Sequence, residues 1–237
     1  LSMNKIYGLQ GAPLLSPDMK ILELIETDPS LVSVFQRLNI SLPFGDMSIL
    51  QMCERDGYSC AMFLMLCNMH ISPTYRVDAT LLTRDMLPEL VGYLRASHRY
   101  YIGYMLPHVA RHLDDILSHC DNLSRSLFSR FYNEYMSFVG EHFREEESKI
   151  FAIVEGVENN LAMDIGRLEA PHGDIDDRTN DLASLVIKSL PEAVPTTLRC
   201  QMLKDIYALR DDLRVHSRIE MHLLRPLVEK FLKTEER

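Results

Sequence analysis

The feature that most constrains the fold of this 237-residue chain is a set of histidines and glutamates that recurs at fixed spacings. The pattern His-x3-Glu occurs twice, and each copy is preceded by a further histidine 44 residues upstream. The second set follows the first at a constant offset of 74 residues. Residues four apart share one face of an α-helix, so each pair can direct an imidazole and a carboxylate to the same point. The six residues are His98, His142, Glu146, His172, His216 and Glu220.

An internal repeat of a helical hairpin explains this spacing. Each hairpin would contribute one histidine from its first helix and a His-x3-Glu pair from its second. Two such hairpins packed about a pseudo-twofold axis would bring four imidazoles and two carboxylates together in the core. A single His-x3-Glu pair is weak evidence, because the pattern is frequent on solvated faces. The repeated offset argues against scattered surface histidines.

The distribution of apolar residues predicts the helices that such a repeat requires. Helices of about 30 residues joined by short loops favour antiparallel packing. Pro107 lies inside the first periodic stretch, so a kink or a helix restart is expected there. The sequence therefore predicts an all-α fold with an antiparallel four-helix bundle. Apolar residues recur at helical spacing through 86–119, 126–154, 158–189 and 196–233.

The first third of the chain predicts four short helices and almost no β structure. Ser16-Pro17 and Asp28-Pro29 each place a capping side chain before a proline at the first helical position. Asp46 precedes a third apolar segment, and Ser59 is a candidate cap for the fourth. The sequence therefore predicts two parts, a small N-terminal helical domain with its linker and then the bundle, over residues 1–78 and 79–237.

Composition excludes several classes of function. The net charge of −9 argues against nucleic acid as a partner, because phosphate binding requires clustered Lys and Arg. The apolar runs are shorter than the roughly 20 residues that a membrane helix needs. The first residues show no secretory signal, and the five cysteines form no CxxC pair. We therefore expect a cytoplasmic protein without a nucleic-acid or membrane partner.

The six-residue set also limits which metal ions can bind. Burying carboxylates and imidazoles with nothing to bind would be costly, so cations are the natural compensation. Imidazole with carboxylate suits iron, manganese and zinc, and no thiolate is present to favour zinc or copper(I). Six ligands are too many for one tetrahedral zinc. Two ions could each take two histidines and share both carboxylates, leaving open positions.

Two segments carry a family resemblance, 138–151 (FVGEHFREEESKIF) and 212–228 (DLRVHSRIEMHLLRPLV). They resemble the H-x3-E helices of hemerythrin-like domains, and the spacing of the six residues resembles that of the repair-of-iron-centres proteins. The segment ILELIETDPSLVSVFQRLNISLPFGD is similar to the small helical domain that precedes the bundle in many of them. The resemblance implies two iron ions joined by two glutamates and an oxo or hydroxo bridge.

The resemblance also implies a function. It predicts a di-iron protein of the nitrosative and oxidative stress response that repairs iron–sulfur centres by iron donation, nitric oxide reduction, or both. Nitric oxide and oxygen would be its small ligands, and iron–sulfur proteins its partners. The alternative is a hemerythrin-like sensor or carrier that binds oxygen or nitric oxide reversibly, so enzymatic activity stays open. Relatives often carry a Cys-Cys pair where this chain has Leu42-Pro43.

Other polar residues near the set are expected to face elsewhere. Glu145 and Glu147 flank Glu146 and should project to other faces of the helix. His222 lies two residues after Glu220 and should also face away from the core. His108 and His112 share one helix face without an accompanying carboxylate pattern, which favours exposure.

Overall fold

The computed structural model describes residues 15–156 and 170–231, without the side chains of residues 153 and 170–172. Within these residues the regular structure is helical, which confirms the predicted all-α class. The extended pairing that occurs there is an isolated antiparallel bridge between Lys20 and Ser48. No helix in the described part of the chain is both long enough and apolar enough to cross a membrane.

The helices follow one another in the order that the periodicity predicts. Pi-helical segments interrupt the long helices at Tyr101–Met105, Glu147–Phe151 and Glu220–Leu224, and 3-10 turns occur at Pro29–Leu31 and Ala79–Leu81. The α-helices are α1 (Ile21–Thr27), α2 (Val32–Arg37), α3 (Ile49–Asp56), α4 (Cys60–Ile71), α5 (Met86–Tyr100), α6 (Leu106–Leu117), α7 (Asn122–Glu146), α8 (Ala152–Val154), α9 (Ala170–Lys188), α10 (Thr196–Ile219) and α11 (Arg225–Phe231).

Two of the expected helix starts in the N-terminal region were wrong. Ser16-Pro17 lies in a turn, and α1 begins later because Ile21 donates its N–H to the Met47 carbonyl and so holds the preceding backbone extended. The cap of α3 is Ser48 rather than Asp46, because the Ser48 hydroxyl accepts from the N–H of Gln51 in a capping box. Ser59 caps α4 as predicted.

The described residues form two compact units, and the first comprises 15–96 and 218–231. Its central element is α4, whose residues Met62–Met69 are all buried, as expected of a helix that is apolar on every side. The C-terminal segment is tied to the chain around residues 72–82 by hydrogen bonds from Arg218 to the Ser72 carbonyl (2.6 Å) and from Lys230 to the Leu82 carbonyl (2.8 Å). This unit is defined by packing, and the domain boundary at residue 78 stays a prediction.

The second unit comprises residues 97–156 and 170–217 and contains parts of all four long helical segments around one apolar core. Short connections at 118–121 and 189–195 join α6 to α7 and α9 to α10, so these neighbours run antiparallel. Asp121 caps α7 by accepting from the N–H of Ser124 at 2.8 Å, at the predicted break.

The 74-residue offset extends from the six polar residues to the core of this unit. Arg125 donates to the Leu117 carbonyl at 3.1 and 3.2 Å, and Arg199, 74 residues later, donates to the Pro191 carbonyl. Each arginine therefore donates to a backbone carbonyl at or just after the C-terminal end of the preceding helix, and the same contact in both halves is expected of a duplicated hairpin. Buried apolar residues also recur at this offset, namely Tyr101 and Ile175, Val109 and Ala183, Ile116 and Leu190, Phe128 and Met202, Tyr132 and Ile206, Tyr135 and Leu209, and Val139 and Leu213.

Candidate metal centre

Five of the six predicted ligands have described side chains, and all five are buried, with exposed fractions between 0 and 7%. They lie on α5, α7 and α10 and at the first residue of the π segment that follows α10. The sixth predicted ligand, His172, lies on α9, but its side chain is outside the described residues. The five are His98, His142, Glu146, His216 and Glu220.

The histidines of α5 and α10 present nitrogens to each other. The Nε2 atoms of His98 and His216 are 3.2 Å apart, and the two rings meet edge to face. Two imidazole nitrogens bound to one ion at about 2.1 Å would be separated by about 3.0–3.4 Å. The observed separation is that of a hydrogen bond between the rings, and it also matches the spacing of two nitrogens on one ion.

The carboxylate of Glu146 is shared between two histidines. Its Oε1 lies 3.0 Å from Nε2 of His142, and its Oε2 lies 3.4 Å from Nε2 of His98. Each oxygen of this carboxylate thus faces a different imidazole.

Glu220 adds a second carboxylate to the group. It follows His216 by one turn of the same continuous helical segment and is fully buried. One ligand atom from each of His98, Glu146, His216 and Glu220 lies within 4.8 Å of the other three. These four residues form the buried His/Glu group.

The charge of this group fits a cation. Removing an ionised carboxylate from water costs several kcal/mol even after the protein relaxes, and the cost is offset only by a close opposite charge. Here two carboxylates, Glu146 and Glu220, are buried within reach of imidazoles. Neutral imidazole and carboxylate together are hard-to-borderline donors, and no cysteine belongs to the group, so the set suits iron, manganese or zinc.

A further carboxylate fixes the orientation of His98. Its Nδ1 lies 2.9 Å from Oε1 of Glu147. Because a carboxylate accepts hydrogen bonds, Nδ1 carries the proton, and the Nε2 lone pair is left to face the group. Histidine ligands of metals are commonly oriented by such an outer carboxylate, which also raises their basicity.

Aromatic rings enclose the same histidine. The imidazole of His98 stacks with Phe143, with ring centroids 4.1 Å apart, and with Phe151, with centroids 5.4 Å apart. Tyr101 packs its ring edge-on to His216, and its hydroxyl donates to the Asp212 carbonyl at 3.3 Å. These rings restrict the rotation of both histidines and form an apolar wall on this side of the group.

The family model of the hemerythrin HHE cation binding domain matches residues 89–228, which is more than half of the chain. The chain belongs to the hemerythrin family. No curated protein and no solved structure matches it. Hemerythrin HHE domains bind metal ions, typically iron, and the matched range contains the buried His/Glu group.

Each of the three helices that carry the described candidate ligands, α5, α7 and α10, is followed by a π-helical segment. The segment Tyr101–Met105 follows His98, Glu147–Phe151 follows Glu146, and Glu220–Leu224 begins at a ligand position. A π turn inserts one extra residue and re-aims the side chains that follow, and such turns are frequent at functional sites. The restart of α6 after the first π segment places Pro107 in its first turn, as predicted for that proline.

The sequence predicts that Glu147 projects away from the core, but its carboxylate contacts His98. Glu147 is the first residue of the π segment that follows α7. His222 lies outside the buried group; burial and the nearby Arg76 and Arg218 guanidinium groups lower its pKa below the ordinary value. His112 does have a carboxylate partner, Asp205 from α10, which the local sequence could not reveal.

Proposed function

We propose that this hemerythrin-family protein holds two iron ions and acts in the cytoplasm during nitrosative and oxidative stress, repairing iron–sulfur centres by donating iron, reducing nitric oxide, or both. The observation that carries the proposal is the division of the Glu146 carboxylate between His142 and His98. A carboxylate whose two oxygens face different imidazoles is placed to join two ions, one beside each imidazole. The proposed ligands are His98 and His216 for one ion, His142 and His172 for the other, and Glu146 and Glu220 as bridges.

Two adjacent ferrous ions would supply two electrons and open positions, which suits the conversion of two nitric oxide molecules and two protons to nitrous oxide and water. The chain's own part is to hold the imidazoles in place and to keep bulk water away. His98 is held by stacking with Phe143 and Phe151 and by the contact of its Nδ1 with Glu147. Such outer contacts set the orientation and the basicity of a ligand.

The matched repeats favour this proposal over reversible oxygen carriage. In the proposed assignment each ion receives two histidines, one from each hairpin, and both ions share the same two carboxylates. Neither ion is then coordinatively filled by the protein, so two small molecules can approach side by side. A reversible carrier needs to hold one gas molecule and release it unchanged, for which one open position is sufficient.

The number of ions is tested first. Protein produced with sufficient iron should contain about two irons per chain by elemental analysis, the number that six ligands support. Glu146→Ala should lose most of this iron, and Glu145→Ala, which changes the preceding exposed glutamate, should retain it. One zinc per chain, or less than half an equivalent of any transition metal, contradicts the proposed centre.

The reaction is tested with the reduced protein under anaerobic conditions. Excess nitric oxide should yield nitrous oxide in the headspace at about one molecule per two irons oxidised, and a reductant should allow further turnover. Recovery of unchanged nitric oxide under vacuum, with no nitrous oxide, would favour the sensor or carrier. Iron donation is measured separately, by mixing the iron-loaded protein with a protein whose iron–sulfur cluster has been damaged and following the return of cluster absorbance.

A further inference from the structure

A second group of metal-binding side chains lies at the surface of the bundle. His108 and His112 occupy successive turns of α6, and Asp205 approaches them from α10. Nε2 of His108 is 3.7 Å from Oδ1 of Asp205, and Nδ1 of His112 is hydrogen-bonded to the other oxygen of the same carboxylate. One ligand atom from each of the three residues lies within 4.8 Å of the other two.

The backbone beneath this group is fixed by the core. Val109 and Leu113 on α6 are buried in the same apolar cluster as Met202, Ile206 and Leu209 on α10. These residues flank the three polar ones in sequence and hold the two helices at their packing distance. The Cβ atoms of the group are therefore preorganised, and only side-chain rotations separate the present arrangement from three ligands around an ion.

The side chains are open to solvent as well as to each other. The exposed fractions of the side chains are 29% for His108, 31% for His112 and 21% for Asp205, so an ion can enter directly from water. The rings of the two histidines are 4.5 Å apart between centroids, so both imidazoles lie close together beside Asp205. An ion held here would keep water in its remaining positions.

We propose that His108, His112 and Asp205 form a second metal site, which binds a divalent transition-metal ion of the borderline class such as zinc. Two imidazoles four residues apart on a helix and one carboxylate are a three-ligand set that suits this class of ion. The site is separate from the buried centre, because His108 lies ten positions after His98 along helical chain, about 15 Å at the rise of an α-helix. An ion bound there would join α6 to α10.

One existing contact must change when the ion binds. Arg111 lies one turn from His108 with a guanidinium nitrogen 3.4 Å from Nδ1 of that ring. A neutral imidazole that ligates through Nε2 carries its proton on Nδ1, so the Arg111 side chain has to turn outward. Arg111 is exposed, and its departure leaves no buried charge behind. The ring of Tyr104, stacked parallel to His108, remains in place.

Zinc binding to the chelator-treated protein tests this site. Zinc is titrated in competition with a chromophoric chelator into the parent chain, His108→Gln/His112→Gln and Asp205→Asn. The matched control is His119→Gln, which removes an exposed histidine two turns further along the same region. The buried group contributes equally to all four proteins, so their difference reports the surface site.

The parent and His119→Gln should bind about one zinc ion per chain more than the double variant, and Asp205→Asn should bind the additional ion at least tenfold more weakly. Equal stoichiometry and affinity in all four proteins would show that the group is an ion pair only. Circular dichroism checks the fold of each variant. If the double variant is unfolded, Asp205→Asn alone decides, since asparagine keeps the size of the side chain and removes its charge.

Discussion

The hydrogen bond between Glu147 and His98 offers a sharp test of how the hemerythrin domain orients a ligand. Replacing Glu147 with alanine removes the acceptor that lies 2.9 Å from Nδ1 and leaves the buried imidazole without this carboxylate. Loss of an outer carboxylate of this kind weakens metal binding about 10- to 100-fold. This corresponds to about 1.4–2.7 kcal/mol of metal-binding free energy.

The expected effect on the metal-free protein is smaller. The Glu147 side chain is 36% exposed, so water can occupy the place of the carboxylate and accept from Nδ1 of His98. The free energy of unfolding should then fall by about 1 kcal/mol, the net value of one hydrogen bond. Metal affinity is measured by competition with a chelator, and stability by thermal denaturation of the metal-free protein.

Glu145→Ala is the matched control. It removes the same charge two residues earlier on the same helix, but Glu145 is exposed and pairs with Lys149 rather than with a histidine. Glu147→Gln should lie between the parent and Glu147→Ala, because its amide oxygen still accepts while its charge is gone. If Glu145→Ala and Glu147→Ala weakened metal binding equally, the effect would be one of net charge. If neither weakened it, the stacking of Phe143 and Phe151 would be sufficient to orient His98.

Three further predictions concern the centre and its surroundings. Glu146→Ala and Glu220→Ala should each lower the metal content per chain strongly, whereas His222→Ala should leave it nearly unchanged. Elemental analysis of the three proteins measures this. Loss of metal from His222→Ala but not from Glu220→Ala would overturn the ligand assignment. Removing metal with a chelator should lower the midpoint of thermal unfolding clearly, because a free ion concentration 1,000 times the dissociation constant stabilises the fold by about 4 kcal/mol. Equal midpoints with and without metal would mean that the site is peripheral. Burial raises the pKa of Glu89 from 4.5 to about 7, although its carboxylate accepts a hydrogen bond from the N–H of Ser59, which acts in the opposite direction. The folded state therefore binds the proton more tightly than the unfolded state, and the free energy of unfolding should fall as pH rises from 4.5 to 7. Denaturant titrations at several pH values should show that Glu89→Gln removes about 2 kcal/mol of this pH dependence, a value that allows for partial solvent access. If the pH profile of the free energy of unfolding were unchanged, Glu89 would not be the group responsible.

The sequence was informative where helical periodicity alone determines position. The offsets of 44 and 74 residues place His98, His142 and Glu146 in one hairpin and their counterparts in the next, and the structure brings the described members together. Helix periodicity also predicted the break that Asp121 occupies. These features depend on contacts within a helix or between repeats, and both leave a regular trace in the chain.

Features that depend on local backbone choice or on distant contacts could not be predicted. Glu147 contacts His98 from another helix at the start of a π segment, and neither its neighbours nor its spacing distinguishes it from Glu145. Asp205 meets His112 from a helix 93 residues away, without a repeat to mark the pairing. Asp46 and Ser48 are both good caps, and the capping box with Gln51 favours the second.

The meeting of His98 and His216 has a consequence for how such a centre can be assembled. Their Nε2 atoms are 3.2 Å apart, yet the two residues belong to different hairpins. In the proposed two-ion centre, one hairpin therefore presents only half of each ion's histidines. Two copies of the first hairpin would supply the whole donor set, since each carries His98, His142 and Glu146. If the proposed assignment holds, a homodimer of that hairpin is the smallest assembly able to build the centre, and exchange of hairpins between two chains would rebuild it unchanged.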